Sequence, residues 1–273
     1  MNKVISFSGG RTSAYLVHLM RDDPEAHFVF MDTGAEHPAT YQFIRDIVKH
    51  WNINLVCLRV VYNETLGKGN DYKVISVEDI SCDLEPWLGM VKKYGNPAVN
   101  VPFCTDRMKT KPFLKYCNDT FGKGNYERWL GIRADEPRRL HERDGFKYLA
   151  NISDFEKQDI LDWWKQQPFN LMIDEHLGNC VFCVKKSLGK VALATRDYNP
   201  IPFIELVEGD QVRTDGRKID KLHMYRNRNS LSGIIDLYKD FTDDEILKKL
   251  KMTKSFDTNS CSESCEVFGV KDE

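Results

Sequence analysis

The chain lacks several features that would assign it to a membrane or secretory class. Its 273 residues contain no apolar run long enough to span a bilayer, so we expect no membrane partner. They carry no excess of charge of either sign, because 39 Lys and Arg stand against 41 Asp and Glu. A nucleic-acid partner would therefore depend on a local basic patch. No basic leader with an apolar segment and a cleavage site precedes the first predicted strand, which predicts a cytoplasmic protein.

Two common nucleotide-binding motifs, G-x-x-x-x-G-K-[ST] and G-x-G-x-x-G, are absent from the start of the chain. The first apolar run, residues 3–7, leads instead into a polar turn, and an apolar pattern of helical spacing begins at Tyr15. The turn reads Ser8-Gly9-Gly10-Arg11-Thr12-Ser13. A strand, a glycine turn and a helix N-terminus aim backbone N–H groups and the positive end of the helix dipole at one point. This arrangement predicts a cradle for phosphate or pyrophosphate, and the alternative is an ordinary strand-to-helix turn with a capping serine.

Apolar runs alternate with helical patterns along the first half of the chain. Further strands are predicted over residues 27–32, 53–61 and 126–132, with helices between them. The alternation predicts an α/β fold whose parallel sheet of five to six strands is flanked by helices. Because ligands bind at the carboxyl ends of such strands, we expect Ser8-Gly9-Gly10 and Asp32-Thr33-Gly34 to share one crevice.

The chain after residue 150 has helical patterns and little strand character, which predicts a mostly helical C-terminal region. We predict an α/β nucleotide-binding domain over residues 1–150, in which 62–105 form an irregular insertion with one short helix. A helical region with a metal site is predicted over 151–255, and a mobile cysteine-containing tail over 256–273.

Three motifs occur in order, each at a predicted strand end. They are S-G-G-x-x-S from Ser8 to Ser13, Asp32-Thr33-Gly34 followed by His37-Pro38-Ala39-Thr40, and Gly131-Ile132-Arg133-Ala134-Asp135-Glu136. Together they resemble the phosphoadenosine phosphosulfate (PAPS) reductase-like branch of the PP-loop adenine nucleotide alpha-hydrolase superfamily. The resemblance covers about residues 1–190 and implies an enzyme that binds an adenine nucleotide.

The resemblance also implies roles for individual residues. Ser8, Gly9, Gly10 and Ser13 are expected to bind phosphate, Asp32 to lie near the nucleotide, and Arg133 to contact its phosphates or the substrate. The full set of predicted nucleotide-binding residues is Ser8, Gly9, Gly10, Arg11, Thr12, Ser13, Asp32, Thr33, Gly34, Gly131 and Arg133. Asp32 and Arg133 are also predicted to be catalytic, and an accompanying Mg²⁺ is left open.

Eight cysteines in a chain expected to be cytoplasmic favour metal or redox chemistry over a disulfide framework. Cys180-x-x-Cys183 offers two thiolates on one turn, a spacing that suits zinc or an iron–sulfur cluster. Cys104 lies where cluster cysteines occur in the resembling enzymes, so we favour a [4Fe–4S] cluster held by Cys104, Cys180 and Cys183. The fourth ligand is either absent, which leaves one iron open, or is drawn from Cys82, Cys117, Cys261 and Cys265.

Cys261 and Cys265 lie near the C-terminus, where the resembling reductases carry their nucleophilic cysteine. A thiol on a mobile tail is able to attack a sulfur atom or carry a persulfide, and both cysteines are therefore predicted to be catalytic. The alternative is an exposed tail without a role. Basic clusters at 107–111, 133–143 and 185–190 flank the predicted sites and suit an anionic substrate.

The intact S-G-G-x-x-S favours an enzyme that cleaves ATP to AMP and pyrophosphate, although Arg11 stands where many ATP-using members have Lys. We predict sulfur transfer from a sulfur donor to a nucleotide or nucleic acid. One alternative is a PAPS or adenosine phosphosulfate (APS) reductase that uses a tail cysteine and a thioredoxin-type reductant. Another is a nucleotide-sensing module with a structural metal, and a homodimer is left open.

Overall fold

The computed structural model describes residues 1–253, which contain six strands and nine α-helices. The strands are β1 (Asn2–Phe7), β2 (Ala26–Met31), β3 (Leu55–Val61), β4 (Asp71–Ile75), β5 (Tyr126–Leu130) and β6 (Phe146–Tyr148). The helices are α1 (Arg11–Met20), α2 (Pro38–Trp51), α3 (Glu85–Tyr94), α4 (Lys111–Phe121), α5 (Lys157–Lys165), α6 (Leu188–Asp197), α7 (Ile201–Glu208), α8 (Leu231–Tyr238) and α9 (Asp243–Thr253). None of the helices in this part of the chain is both long enough and apolar enough to cross a membrane.

The strands form one sheet in the order β4-β3-β2-β1-β5-β6, and every pair is parallel except the antiparallel β3–β4 pair. The central strand β1 lies between β2 and β5, with Ile5 opposite both Phe28 and Trp129. Helices cover both faces of such a sheet, so its inner strands are buried runs of apolar residues. The predicted α/β fold with a parallel sheet is confirmed.

The sequence pattern predicts neither β4 nor β6. The first lies within the segment expected to be irregular, and the predicted short helix of that segment is α3. No strand follows β6 in the described chain, so the prediction of a helical C-terminal region is also confirmed. The division into three parts stays a prediction, and its tail, with Cys261 and Cys265, lies outside the described residues.

Two apolar clusters position the functional residues. One joins α1, α2 and α5, where the Trp164 ring lies 4.9 Å from that of Phe43 and its indole N–H donates to the Arg11 carbonyl at 3.0 Å. The other joins α3, α6 and α8 around Cys180. The first cluster holds the start of α1 in place, and the second surrounds the Cys180-x-x-Cys183 turn.

Candidate functional site

The turn after β1 has the shape of an anion cradle. Gly9 has a φ of +81°, and a Cβ there would lie 3.0 Å from Thr40 Cγ2 and 3.2 Å from Ile44 Cδ1. Glycine therefore satisfies both the left-handed backbone and the close approach of α2. Gly10 is the N-cap of α1 and supplies no side-chain cap, and the first turn of α1 contains no acidic residue. The first N–H groups of α1 consequently face the cleft without a capping side chain.

The cleft beside this turn has a volume of about 220 Å³. The polar part of its wall comes from residues 8–12, Thr40, Arg133, Lys157, Asp174, Glu175, Gly178 and Asn179. The apolar part comes from Ile160, Leu161, Leu171 and Ile173. Arg133, Lys157 and the N–H groups of α1 thus share the cleft with an apolar wall and with the carboxylates of Asp174 and Glu175, the second of which is paired with Lys157 at 3.4 Å. The cationic and apolar parts suit a ligand with an anionic end and a flat apolar end.

Two predicted phosphate ligands, Ser13 and Arg11, have side chains that build the cradle. Ser13 Oγ accepts a hydrogen bond from the Ser8 N–H at 3.1 Å, donates to the Gly10 carbonyl at 3.0 Å and lies 2.8 Å from Ser8 Oγ. Arg11 Nε donates to Asn170 Oδ1 at 2.9 Å, and its Nη2 donates to the Leu171 carbonyl. Ser13 thus closes the turn, while Arg11 ties it to the opposite wall of the cleft.

The turn after β5 packs against the start of α1, which forms part of the phosphate cradle. A Cβ on Gly131 would lie 2.8 Å from Ser13 Cα, so this glycine lets the turn pack directly on the backbone of α1. Arg133 is 4% exposed, and its Nη1 donates to Thr12 Oγ1 at 3.2 Å. Its Nε donates to Asp135 Oδ1 at 2.7 Å. A nearly buried guanidinium is therefore fixed in the cleft wall beside the phosphate cradle.

Asp32 is fully buried, and its carboxylate organises the turn after β2. Its Oδ1 accepts from the Gly34 N–H at 2.9 Å and lies 3.0 Å from the Tyr41 hydroxyl, while its Oδ2 accepts from Arg59 Nε at 2.7 Å. Burial, together with the nearby Glu36 charge, raises the pKa of Asp32 to about 6 despite Arg59. Both oxygens are thus bonded to protein groups from the turn, α2 and β3, and the predicted nucleotide-binding and catalytic roles of Asp32 stay predictions.

The raised pKa of Asp32 predicts an unusual pH dependence. Between about pH 4 and pH 6 the folded protein binds this proton more readily than the unfolded chain, so the contribution of Asp32 to stability rises as the pH falls. The difference in unfolding free energy between wild type and Asp32→Asn is expected to shift by up to about 3 kcal/mol in favour of the wild type on acidification from about pH 7 to 4. Urea denaturation across this range measures it, with Asp22→Asn as control because the Asp22 side chain is 88% exposed. A pH-independent difference would contradict the expectation.

Glu36, which the sequence analysis did not single out, connects the turn after β2 to the cysteines. It is 1% exposed; its Oε2 accepts from Thr33 Oγ1 at 2.6 Å and lies 3.0 Å from the Tyr41 hydroxyl. Cys180 Sγ lies 3.7 Å from Glu36 Oε1, and Lys109 Nζ lies 3.8 Å from the same oxygen. One buried carboxylate thus contacts the nucleotide-side turn, a cysteine and a lysine.

Cys104 immediately precedes a π-helix over Thr105–Thr110, in which the Lys111 N–H bonds the Asp106 carbonyl. Bonding between residues five apart places Cys104 and Lys109 on the same face, and such helices recur at functional sites. Cys104 and Cys183 both pack against the apolar cluster that contains Cys180. The three predicted metal ligands therefore belong to or border one apolar region.

Lys186 supplies a second buried cation beside these cysteines. It is 3% exposed, and its Nζ donates to the carbonyls of His176 at 2.6 Å and Val181 at 2.8 Å. Burial lowers the pKa of Lys186 to about 8, while the nearby Cys180 and Cys183 act in the opposite direction. Buried ammonium groups favour anionic ligands, so the donor set of three thiols with Lys186 and Lys109 fits a thiolate-bound cluster.

Among residues 1–253, one group of three or more potential metal ligands has its donor atoms within 4.8 Å of one another, Asp174, His176 and Asp197. Cys104, Cys180 and Cys183 do not form so tight a group. Three thiolates bound to one zinc ion by Zn–S bonds of about 2.3 Å lie about 4 Å apart, so these three thiols would have to approach one another to bind zinc. Cys57 and Cys117 are buried in the core, where burial raises the pKa of each thiol to about 12.

Comparison with known proteins agrees with the architecture. The chain is 53% identical over 278 residues to the uncharacterized nin region protein ORF290 of Escherichia phage lambda, covering 98% of this chain and 96% of that protein. It is 22% identical over 210 residues to the uncharacterized protein MJ0066 of Methanocaldococcus jannaschii, covering 71% of this chain and 38% of that protein. Residues 2–180 match the model of the phosphoadenosine phosphosulfate reductase domain. With its cradle at the start of α1 and its mostly parallel sheet, the chain belongs to this family and so to the PP-loop adenine nucleotide alpha-hydrolase superfamily.

Proposed function

We propose that the protein is an ATP-dependent sulfur-transfer enzyme. The observation that carries this proposal is that Gly178 and Asn179, which line the cleft, lead directly into Cys180. Thr33 and Glu36 of the turn after β2 both contact Cys180. The cleft offers N–H groups and Arg133 for phosphates. Cys180 offers a thiol in contact with the turn after β2.

In the proposed reaction, an oxygen of the acceptor attacks the α-phosphorus of ATP. The bond to the β-phosphate oxygen breaks and pyrophosphate leaves, while the acceptor proton passes to solvent. The free N–H groups of α1 and the guanidinium of Arg133 stabilise the charge that collects on the phosphate oxygens. A hydrosulfide-class donor then attacks the acceptor atom that bears the adenylated oxygen. The bond from that atom to the oxygen breaks, and AMP leaves with the oxygen.

The apolar wall of the cleft is suited to adenine, and the nucleic-acid or nucleotide acceptor would approach from the open side. A [4Fe–4S] cluster would be held by Cys104, Cys180 and Cys183, with Lys109 and Lys186 offsetting its negative charge. When bound, such a cluster supplies redox and Lewis-acid iron chemistry on the cysteine side of the turn.

Release of pyrophosphate from ATP, measured with candidate nucleotide, DNA and RNA acceptors and a sulfide donor, tests the proposal. We expect release that depends on the acceptor and falls by about a hundredfold or more in Arg133→Met, because a buried cation at the phosphates is lost. Lys165→Met is the matched control, since the Lys165 side chain is 67% exposed. ATP binding without pyrophosphate release for any acceptor would contradict the proposal and favour a nucleotide-sensing module.

The family match itself favours a second candidate, reduction of PAPS or APS. In that reaction the thiolate of Cys261 or Cys265 attacks the sulfate sulfur, the nucleotide leaves, and a thioredoxin-type dithiol releases sulfite from the enzyme. Sulfite formation that requires a dithiol and disappears in the double variant Cys261→Ser, Cys265→Ser would support this reaction. Sulfite formation that survives in the double variant would contradict it.

A further inference from the structure

Thr40, in the first turn of α2, is a buried polar residue without an internal partner. It is 3% exposed, and its side chain lines the cleft beside the cradle. Within the described part of the chain, Oγ1 has no hydrogen-bond partner. A buried hydroxyl without a hydrogen-bond partner is energetically unfavourable. A ligand bound in the cleft would supply the missing partner.

The position of Thr40 indicates which part of a ligand its hydroxyl would meet. The Thr40 methyl group, Cγ2, lies 3.0 Å from the point where a Cβ on Gly9 would stand. Thr40 N–H donates to the His37 carbonyl at 2.8 Å, so the backbone of this residue is already satisfied. The side chain is thus packed against Gly9, and Thr40 lines the same cleft as Arg133 and Thr12.

We infer that the Thr40 hydroxyl donates a hydrogen bond to the nucleotide phosphate held by the cradle. This inference rests on the proposed nucleotide site and adds a phosphate ligand from α2 to those from α1. A hydroxyl donor suits an anionic phosphate oxygen, because hydrogen bonds to charged acceptors are the strong ones. Phosphates would then be bound between two helices, with the N–H groups of α1 on one side and Thr40 on the other.

The inference predicts opposite effects on binding and on stability. Thr40→Val keeps the shape and the methyl contact with Gly9 but removes the hydroxyl. ATP affinity is expected to fall about tenfold or more, whereas the melting temperature of the nucleotide-free protein should stay the same or rise. Thr40→Ser keeps the hydroxyl and should retain ATP affinity within about threefold. Affinity is measured by titration calorimetry with ATP and with adenosine, and stability by thermal unfolding.

Adenosine has no phosphate, so Thr40→Val should leave its affinity within about twofold of wild type. Equal weakening of ATP and adenosine, or a Thr40→Val protein that binds ATP as tightly as wild type, would overturn the inference alone. A Thr40→Val protein that melts well below wild type would overturn it too, because the hydroxyl would then serve the fold. Failure of the wild-type protein to bind any adenine nucleotide would overturn the proposed function as well.

Discussion

Replacement of Gly9 by alanine is expected to weaken ATP binding roughly a hundredfold and to lower the free energy of unfolding by about 2 kcal/mol. Gly9 has a φ of +81°, and the added Cβ would lie 3.0 Å from Thr40 Cγ2 and 3.2 Å from Ile44 Cδ1. The turn must move away from α2 to relieve these contacts. Its N–H groups then lose alignment with the phosphates, and the loss of two charge-assisted hydrogen bonds accounts for about 3 kcal/mol of binding.

Gly124→Ala separates backbone strain from crowding. Gly124 has a φ of +83°, but a Cβ there would meet nothing within 4 Å. This control should therefore lose about 1 kcal/mol of stability from strain and bind ATP as the wild type does. Urea denaturation and titration with ATP give both quantities for both variants. Equal ATP affinities for Gly9→Ala and wild type would show that the turn does not bind the nucleotide.

The sequence pattern predicts the centre of the sheet well, because β1 and β2 each end in four buried residues and lead into glycine-containing turns. The strand β5 contains Glu127 and Arg128, but its buried end, Trp129-Leu130, also leads directly into a glycine. Edge strands have no such signal. In β4, which pairs antiparallel with β3, Val74 is 61% exposed, so the strand lacks an apolar face that a pattern would detect. The strand β6 has three residues, fewer than any periodicity needs.

The parts of the site that sequence reasoning missed depend on contacts between distant residues. Arg11 donates a hydrogen bond to Asn170, which lies 159 positions away in the sequence. Glu36 contacts Cys180, which lies 144 positions away. No local pattern reveals that Glu36 is buried, since an acidic residue before His37-Pro38 also suits an exposed helix start. The sequence also gives no signal for the π-helix after Cys104, because its wider turn reflects tertiary packing rather than helix propensity. Motifs thus predict the two halves of the candidate site, and the contacts between them come from the fold.

Alanine at Cys104, Cys180 or Cys183 is expected to remove essentially all iron and acid-labile sulfide from anaerobically purified protein. Each change deletes one thiolate, and Cys57 and Cys117 are core residues that do not replace it. The Cys82 thiol, which lines a small cavity with Val181 and Phe182, accepts a hydrogen bond from the Tyr198 hydroxyl at 3.3 Å. Cys117→Ala is the matched control. It removes a buried thiol of raised pKa, should cost about 1 kcal/mol of stability, and should keep the wild-type iron content.

Metal analysis, sulfide analysis and visible absorption of the four variants and the wild type decide this prediction. Zinc without iron in the wild type would contradict a cluster and favour the structural-metal alternative. A Cys180→Ala protein that retains iron would show that Cys180 is not a cluster ligand. The contact between Cys180 and Glu36 would be unaffected by that result. Loss of iron should also lower the melting temperature of the wild type, because ligand binding to the folded state is linked to stability. A cysteine variant that loses iron yet still releases pyrophosphate would show that the cleft and the cysteine side perform separable steps.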